Sequence, residues 1–360
     1  MRLTIVTNIP APYRLPLYAE IHQTLAEDGG GLTVIYGGHH ARGRQWSPSA
    51  SKDGAWHSIY LPHAQLRIGD RTTYVNPLVA REVAHSRPDV TIIGGYAPWT
   101  YAAAAWCRWR SVPYLLWSGE TPANAERAGT PAWRRRPLIR RAAGALAYGP
   151  PARDYLLELG VPEATITVVG NGIDIEAFRA RVAGARSAPE RDGRDPAAGP
   201  TLLSVGGKGI DVVLDALEAV DPRSRLVVVG TDEERVEAHA TFLGRLTHDG
   251  MPGLYASADC LVHTPVLDLW PHAINEALSA GIPVVASAHT GVPDSILAGP
   301  GCAIVDPQDP AALTAALRSA ISIGATATPE VREAITAPLR EWGVARMADR
   351  MVAAARSVWP

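Results

Sequence analysis

Two carboxylates and a lysine carry the chemistry most plainly written in this chain. Asp268 and Glu276 stand eight residues apart in Asp268-Leu269-Trp270-Pro271-His272-Ala273-Ile274-Asn275-Glu276-Ala277, and Lys208 lies in the run Gly206-Gly207-Lys208-Gly209. The first run reads as loop, helix, then strand. Asp268 is expected to cap the helix by accepting a hydrogen bond from a free first-turn N–H. Pro271 suits a first helical position, where no donor is needed. Gly281 and Pro283 stop the helix, and Val284-Val285-Ala286 opens a buried strand. One acid therefore sits at the helix mouth and the other about two turns in. The free N–H groups of the helix start form an anion site. An anion flanked by hydroxyl-binding acids suits a sugar nucleotide. The plain alternative is an amphipathic helix with two solvated acids.

The elements that must hold these groups alternate. Short apolar runs at residues 3–6, 32–36, 89–93, 114–117, 144–148 and 165–169 read as strands. Helical segments at 15–26, 76–86, 99–109, 133–142 and 151–159 separate them. This alternation predicts an α/β fold with a doubly wound parallel sheet. Ligands bind beyond the carboxyl ends of such strands, which selects the loops at residues 8–14, 94–100, 118–121 and 149–151. A second alternation has strands at 201–205, 225–229, 260–263, 284–287 and 302–305. Its helices are expected at 211–220, 232–240, 253–257, after Asp268, and at 310–321. Residues 181–200, rich in Ala, Arg, Asp, Gly and Pro, read as a linker or disordered insertion.

The Asp268 run resembles the acidic-x7-acidic signature of family 4 glycosyltransferases, E-x-F-P-N-x-x-x-E-A-x-A-x-G-x-P-V-V. Here Asp268, Trp270 and His272 replace Glu, Phe and Asn, and Glu276 is kept. Further resemblances run along the chain. Pro12-Tyr13-Arg14 is similar to the opening of one family branch. Asn171-Gly172-Ile173-Asp174 precedes the family's inter-domain crossing. Phe242-Leu243-Gly244-Arg245-Leu246 is similar to its base-reading loop, Leu254-Tyr255-Ala256-Ser257-Ala258-Asp259 to L-Y-x-x-A-D, and Thr290-Gly291-Val292-Pro293-Asp294 to G-G-[VI]-P-E. The likeness is strongest from Val205 to Asp306 and weakest over residues 39–69.

The resemblance implies a GT-B fold: two facing Rossmann-like, doubly wound parallel-sheet domains with the site in the cleft. The expected divisions are residues 1–180 on the acceptor side, 181–200 as linker, and 201–340 binding the nucleotide sugar. Residues 341–360 would form a helix that crosses back to the first domain, with Ala345, Met347, Met351 and Ala354 as its apolar face. The implied reaction is retaining transfer of a sugar from a nucleotide-diphosphate sugar, a UDP-sugar by default, to a hydroxyl acceptor. The acceptor would be a glycan, a lipid-linked molecule or a natural product. No metal or other cofactor is needed, and no Asp-x-Asp pair is present to hold a metal diphosphate.

By the same resemblance Asp268 would hold the donor sugar and Glu276 the ribose hydroxyls. Lys208 would neutralise the diphosphate, with Gly206 and Gly207 giving backbone N–H groups. Gly207 stands where the family has Arg. Gly244, Arg245, Trp270, Pro271, His272 and Gly291 complete the expected donor site. Tyr13, Arg14, Ser118 and Glu120 are expected on the acceptor side, Glu120 also in the chemistry. Arg14, Glu120 and Lys208 have bland alternatives: a helix-start Arg facing solvent, a residue leading into a turn, and a loop Lys in solvent. Two other readings stand beside transfer. A relative could epimerise a nucleotide sugar or couple it by pseudoglycosyl transfer. A non-catalytic binding partner could keep the pocket and lose turnover, which the missing Arg favours.

Composition sets the outer bounds. The chain has 360 residues, 47% hydrophobic residues and a formal net charge of −2, as ordinary globular proteins do. Nothing in the charge points to nucleic acid. Cys107, Cys260 and Cys302 are scattered, with no zinc spacing and no disulfide framework. The start reads as a first strand and not a signal peptide, so the cytoplasm is the expected location. One basic cluster, Trp133-Arg134-Arg135-Arg136 with Arg140 and Arg141, would suit weak peripheral contact with the inner face of an anionic membrane. Its alternative is a solvated helix face. His39 and His40 are paired, and read as surface loop residues before metal ligands.

Overall fold

The computed structural model describes residues 1–38, 55–62, 64–68, 71–127, 132–187 and 199–360. His39 and His40 lie outside them. The chain forms two compact units, one of Met1–Ile173 with Val344–Pro360, the other of Asp174–Gly343. The chain therefore passes between units at 173/174 and at 343/344.

Unit 1 comprises β1 (Arg2–Thr7), α1 (Leu15–Ala26), β2 (Gly31–Tyr36), β3 (His57–Tyr60), β4 (Ala64–Ile68), β5 (Arg71–Val75), α2 (Val79–Ser86), β6 (Val90–Gly94), α3 (Pro98–Trp109), β7 (Tyr114–Ser118), α4 (Pro122–Arg127), α5 (Arg136–Ile139), β8 (Gly144–Ala147), α6 (Pro150–Glu158) and β9 (Ile166–Val168), together with the C-terminal helix Val344–Val358. Seven strands pair in the order β3-β2-β1-β6-β7-β8-β9, all parallel. β4 and β5 form a separate antiparallel hairpin. The strands are short and apolar because both faces are covered. One face packs Leu17, Tyr18, Ile21 and Leu25 of α1 with Met347, Met351 and Val352 of the C-terminal helix. The other packs α2, α3 and α6.

The C-terminal helix does pack on unit 1, but on a different stripe from the one expected. Its buried residues are Val344, Met347, Ala348, Met351, Val352 and Ala355, while Ala345 is exposed. Three- and four-residue steps from Val344 keep one face inward, and Ala345 falls off that face.

Unit 2 comprises α7 (Ile175–Arg186), β10 (Thr201–Val205), α8 (Ile210–Val220), β11 (Arg225–Val229), β12 (Glu234–Val236), β13 (Ala240–Leu243), α9 (Met251–Ser257), β14 (Cys260–His263), α10 (His272–Ser279), β15 (Val284–Ser287), β16 (Ala303–Val305), α11 (Pro310–Ala325) and α12 (Pro329–Thr336). Its sheet runs β12-β13-β11-β10-β14-β15-β16, parallel except for β12. Two expectations change here. Residues 181–186, assigned to the linker, belong to α7, which Asp174 caps by accepting from Ala177 N–H at 3.0 Å. The helix expected at 232–240 is instead an edge ribbon. Ala240, Thr241 and Phe242 pair with Leu226, Val227 and Val228 of β11, and β12 folds back antiparallel on β13. An edge position tolerates the charges of 232–237, and those charges imitated a helix face.

Candidate active site

In unit 2 the strand order reverses between β10 and β14, the switch point beyond whose strand ends ligands of such sheets bind. The loops after these two strands carry Lys208 and Asp268. Thr264 Oγ1 donates to the Gly209 carbonyl at 2.8 Å, and a Cβ on Gly209 would lie 1.9 Å from the Thr264 carbonyl oxygen. The two loops are thus locked against each other. The result is an ion pair, Lys208 Nζ to Asp268 Oδ2 at 3.1 Å.

Asp268 does not cap the helix. α10 begins at His272 with Pro271 as its N-cap and no side-chain capping bond. The extended backbone of Asp268 bridges Thr290 instead: Asp268 N–H donates to His289 O at 3.2 Å, and Gly291 N–H to Asp268 O at 2.8 Å. Gly291 is confined there, since a Cβ would meet the Leu269 carbonyl at 2.0 Å. Freed from capping, the carboxylate also lies 3.4 Å from Nε2 of buried His263, at the end of β14. Burial opposes the Asp268 charge, but His263 and Lys208 outweigh it and hold the carboxyl below its usual range. His263 was not singled out from sequence. It sits five residues before Asp268, inside an apolar strand.

Glu276 lies on α10 and accepts from Tyr255 Oη on α9 at 2.7 Å. Burial pushes its carboxyl up to about 7, against the opposing pull of Tyr255 and Arg181. Tyr255 is fully buried, edge-on to Phe178 of α7. Trp270 is buried too, donating from Nε1 to Asn275 Oδ1 at 3.2 Å and packing on Trp342. It braces the start of α10, and Pro271 is buried beside it. Partly exposed His272 remains at the helix mouth.

The glycine loop has no Cβ at three of its four positions. Gly206, Gly207 and Gly209 all have positive φ, at 89°, 64° and 69°, a region that side chains disfavour. A Cβ on Gly207 would lie 2.5 Å from Thr231 Cγ2, whereas Gly206 faces open space. The family's Arg is therefore excluded by backbone and by Thr231 together. Gly207→Arg is expected to destabilise by about 1–3 kcal/mol without tightening diphosphate binding. Adding Thr231→Ser, which removes Cγ2, should recover part of the loss. Paired thermal melts check this, and an unchanged midpoint in the single variant would count against the steric account. In the loop after β13, Gly244 also has positive φ, at 65°, with Glu234 against it. Arg245 is exposed and paired with Asp232.

Unit 1 reverses its strand order between β1 and β6. At this end of the sheet Arg14 stacks on Trp117 and donates to Tyr148 Oη at 2.9 Å, with Tyr13 alongside. Ser118 is buried and its Oγ accepts from Glu120 N–H at 3.1 Å. Both Glu120 carboxylate oxygens are held by Arg135, Nη2 to Oε1 at 2.7 Å and Nε to Oε2. A role for Glu120 in chemistry requires that pair to open. Arg135 itself was placed with the exposed basic cluster, but it is 1% exposed. Its carboxylate partner, 15 residues earlier, explains how it can be. Trp117 and Tyr148 carry no sequence signal of their own. Only the parallel pairing of β7 with β8 brings Trp117 and Tyr148 to one edge.

Comparison with known proteins agrees across both units. Residues 18–177 match the family described as Glycosyltransferase Family 4, and residues 200–322 match that described as Glycosyl transferases group 1. The Sulfoquinovosyl transferase SQD2 of Arabidopsis thaliana is 25% identical over 62% of this chain and 47% of its own length. A GDP-mannose-dependent alpha-mannosyltransferase of Mycolicibacterium smegmatis is 29% identical over 46% of this chain and 44% of its own. The chain thus spans about half the length of the curated relatives it matches. Among solved structures, Anabaena HepE in complex with UDP and glucose superposes with a TM-score of 0.70 at 16% identity, over 99% of this chain and 100% of that one. Sucrose-phosphate synthase of Thermosynechococcus elongatus gives 0.67 at 18%, over 99% of both. These likenesses establish the GT-B fold.

Proposed function

Since the chain is a family 4-like glycosyltransferase with the GT-B fold, we propose that it transfers a sugar from a nucleotide-diphosphate sugar to a hydroxyl acceptor, with retention at the anomeric carbon. The observation that carries this reading is the Lys208–Asp268 ion pair at the switch point of unit 2, in a loop where Gly206, Gly207 and Gly209 take positive φ; the Gly206 N–H, expected to face the diphosphate, instead donates to Val229 O at 2.7 Å. HepE was solved with UDP and with UDP-glucose, which supports a UDP-sugar as the first donor to try.

In the proposed reaction the bond from the anomeric carbon to the diphosphate oxygen breaks, and the acceptor oxygen bonds that carbon from the same face. The acceptor proton passes to the departing diphosphate. Lys208 and the N–H groups of the glycine loop stabilise the charge that builds on the leaving group, the kind of electrostatic contribution that usually dominates. Asp268, held ionised by His263 and Lys208, accepts from donor-sugar hydroxyls. Glu276 accepts from the ribose. Lys208 is the counter-charge to the diphosphate in this proposal, and the EDTA arm of the test below asks whether a metal is also needed.

The test is a thermal-shift panel with UDP, GDP, dTDP and ADP and their sugars, with and without EDTA, followed by turnover assays. A ligand that binds the native state raises the midpoint. We expect one diphosphate to do so regardless of EDTA, and its sugar to be consumed only with an acceptor present. Product formed without acceptor would instead identify an epimerase. Binding with no turnover of any donor would identify a non-catalytic partner, the reading that Gly207 favours.

A lipid-linked acceptor is the finer proposal for unit 1. Trp109 and Trp133 are 76% and 62% exposed, with Arg108, Arg110, Arg134 and Arg140 exposed beside them in sequence. Tyr101 Oη donates to the Arg134 carbonyl and ties the two stretches together. No acid occurs in 105–113 or 132–143. Such an aromatic and cationic surface suits anionic lipid. No helix among the described residues is long and apolar enough to cross a membrane. Co-sedimentation with phosphatidylglycerol vesicles, weakened by salt and by Trp133→Ala with Arg134→Ala, is the expected result. Equal pelleting with neutral vesicles would dismiss it.

A further inference from the structure

Unit 1 buries a guanidinium that no described carboxylate neutralises. Arg14 is 7% exposed. Its Cζ lies 4.3 Å from the Trp117 ring centroid, and 5.3 and 5.4 Å from those of Tyr13 and Tyr148. One N–H donates to Tyr148 Oη, and Tyr13 is a second hydrogen-bond partner. Its charged and polar neighbours are tyrosines, with no Asp or Glu among them. Arg135, buried to a similar degree in the same unit, is gripped by Glu120. The contrast matters because an isolated buried charge is costly unless something pairs with it. The Trp117 ring on which Arg14 lies carries an unmet donor: its Nε1 is buried and without a hydrogen-bond partner. A buried guanidinium whose partners are tyrosines thus lies against an indole whose N–H lacks an acceptor. Tyr13 and Tyr148 are only partly buried, so the cluster has an accessible rim.

We infer that Arg14, Trp117 and Tyr148 form a pocket for an anionic group, a carboxylate or a phosphoryl, carried by the acceptor. Naming the ligand as acceptor rests on the transfer reading above; the pocket does not. Several acceptor oxygens on one anion would meet both the guanidinium fork and the indole N–H, the geometry in which charge-assisted hydrogen bonds are strongest. The rival role is a purely internal brace, with the aromatic stacking as its whole purpose.

The experiment uses the full chain, melted and titrated with glucose, glucuronate and glucose 6-phosphate, in wild type, Arg14→Lys, Arg14→Met and Lys208→Ala. One or both anionic sugars should raise the midpoint while glucose does not, and the better of the two identifies carboxylate or phosphoryl. Arg14→Met should weaken that binding by about 10- to 100-fold. Arg14→Lys, which keeps the charge without the fork, should fall between. Lys208→Ala should leave the response intact. Equal responses to the three sugars, none included, would overturn the inference. So would a response that survives Arg14→Met, or one lost in Lys208→Ala, which would put the anion in the glycine loop. If Arg14→Met does not fold, the wild-type panel with Arg14→Lys decides. A parallel UDP titration keeps the two readings apart. Loss of the UDP response alone would sink the donor site and spare this pocket, and the converse would sink the pocket alone.

Discussion

Glu276→Gln is expected to weaken nucleotide-diphosphate binding by about 30- to 100-fold, the loss of charged hydrogen bonds to two hydroxyls, while making the folded protein more stable at pH 8. The opposite signs follow from one cause. Burial lifts the Glu276 carboxyl to about 7, so the folded chain holds this proton more tightly than the unfolded one. The side chain's full contribution is present below its ordinary value near 4.5. It is lost as the pH rises from there to about 7, because the unfolded state is the first to ionise. That gap corresponds to roughly 3 kcal/mol at most, and Gln, which cannot ionise, escapes it while still accepting from Tyr255.

Binding shows the reverse trend. Ribose hydroxyls donate, so the ionised carboxylate is the competent form. Affinity in the wild type should rise by up to about tenfold per pH unit below about 7 and then level off. Denaturant melts of both proteins from pH 4 to 9, with nucleotide titrations alongside, read both effects. A wild-type-minus-variant stability difference that is flat with pH would mean that Glu276 is already ionised at pH 5. An affinity independent of pH would remove the ribose from its role.

Lys208→Ala is expected to lower kcat by about 100- to 1000-fold, the size of effect seen when one donor to a developing anion is removed. Its melting point should barely move. The Lys208–Asp268 pair is half exposed on the lysine side, and exposed pairs contribute about 0–1 kcal/mol to folding. Lys208→Arg should recover part of the rate by restoring the charge. The readout that decides is the split between constants. A fall in kcat and kcat/KM together marks an interaction made in the transition state. A rise in KM with kcat intact would leave Lys208 as a ground-state anchor, and leaving-group stabilisation would have to come from the loop N–H groups. Because Asp268 shares the contact, the Lys208→Ala and Asp268→Asn effects should not add.

Local sequence determined much of this molecule. The alternation of short apolar runs with amphipathic segments gave both parallel sheets, because a strand covered on both faces must be apolar throughout. Gly281, with its φ of 65°, ends α10 where sequence placed the stop, and Pro283 leads into β15. That Asp268 lies in the loop before α10 and Glu276 on the helix was legible because a loop–helix–strand unit with glycines at fixed offsets leaves few other arrangements. Tertiary structure decided which side chains finish the site. His263 reaches Asp268 only because β14 ends at the switch point, and Tyr255 reaches Glu276 only because α9 lies beside α10. Trp117 and Tyr148 enclose Arg14 only through the order β1-β6-β7-β8. In each case the partners lie on separate elements and no local period links them. The same limit explains the helix expected at 232–240. Its charges fit a helix face as well as an edge strand, and the free edge beside β11 made the choice.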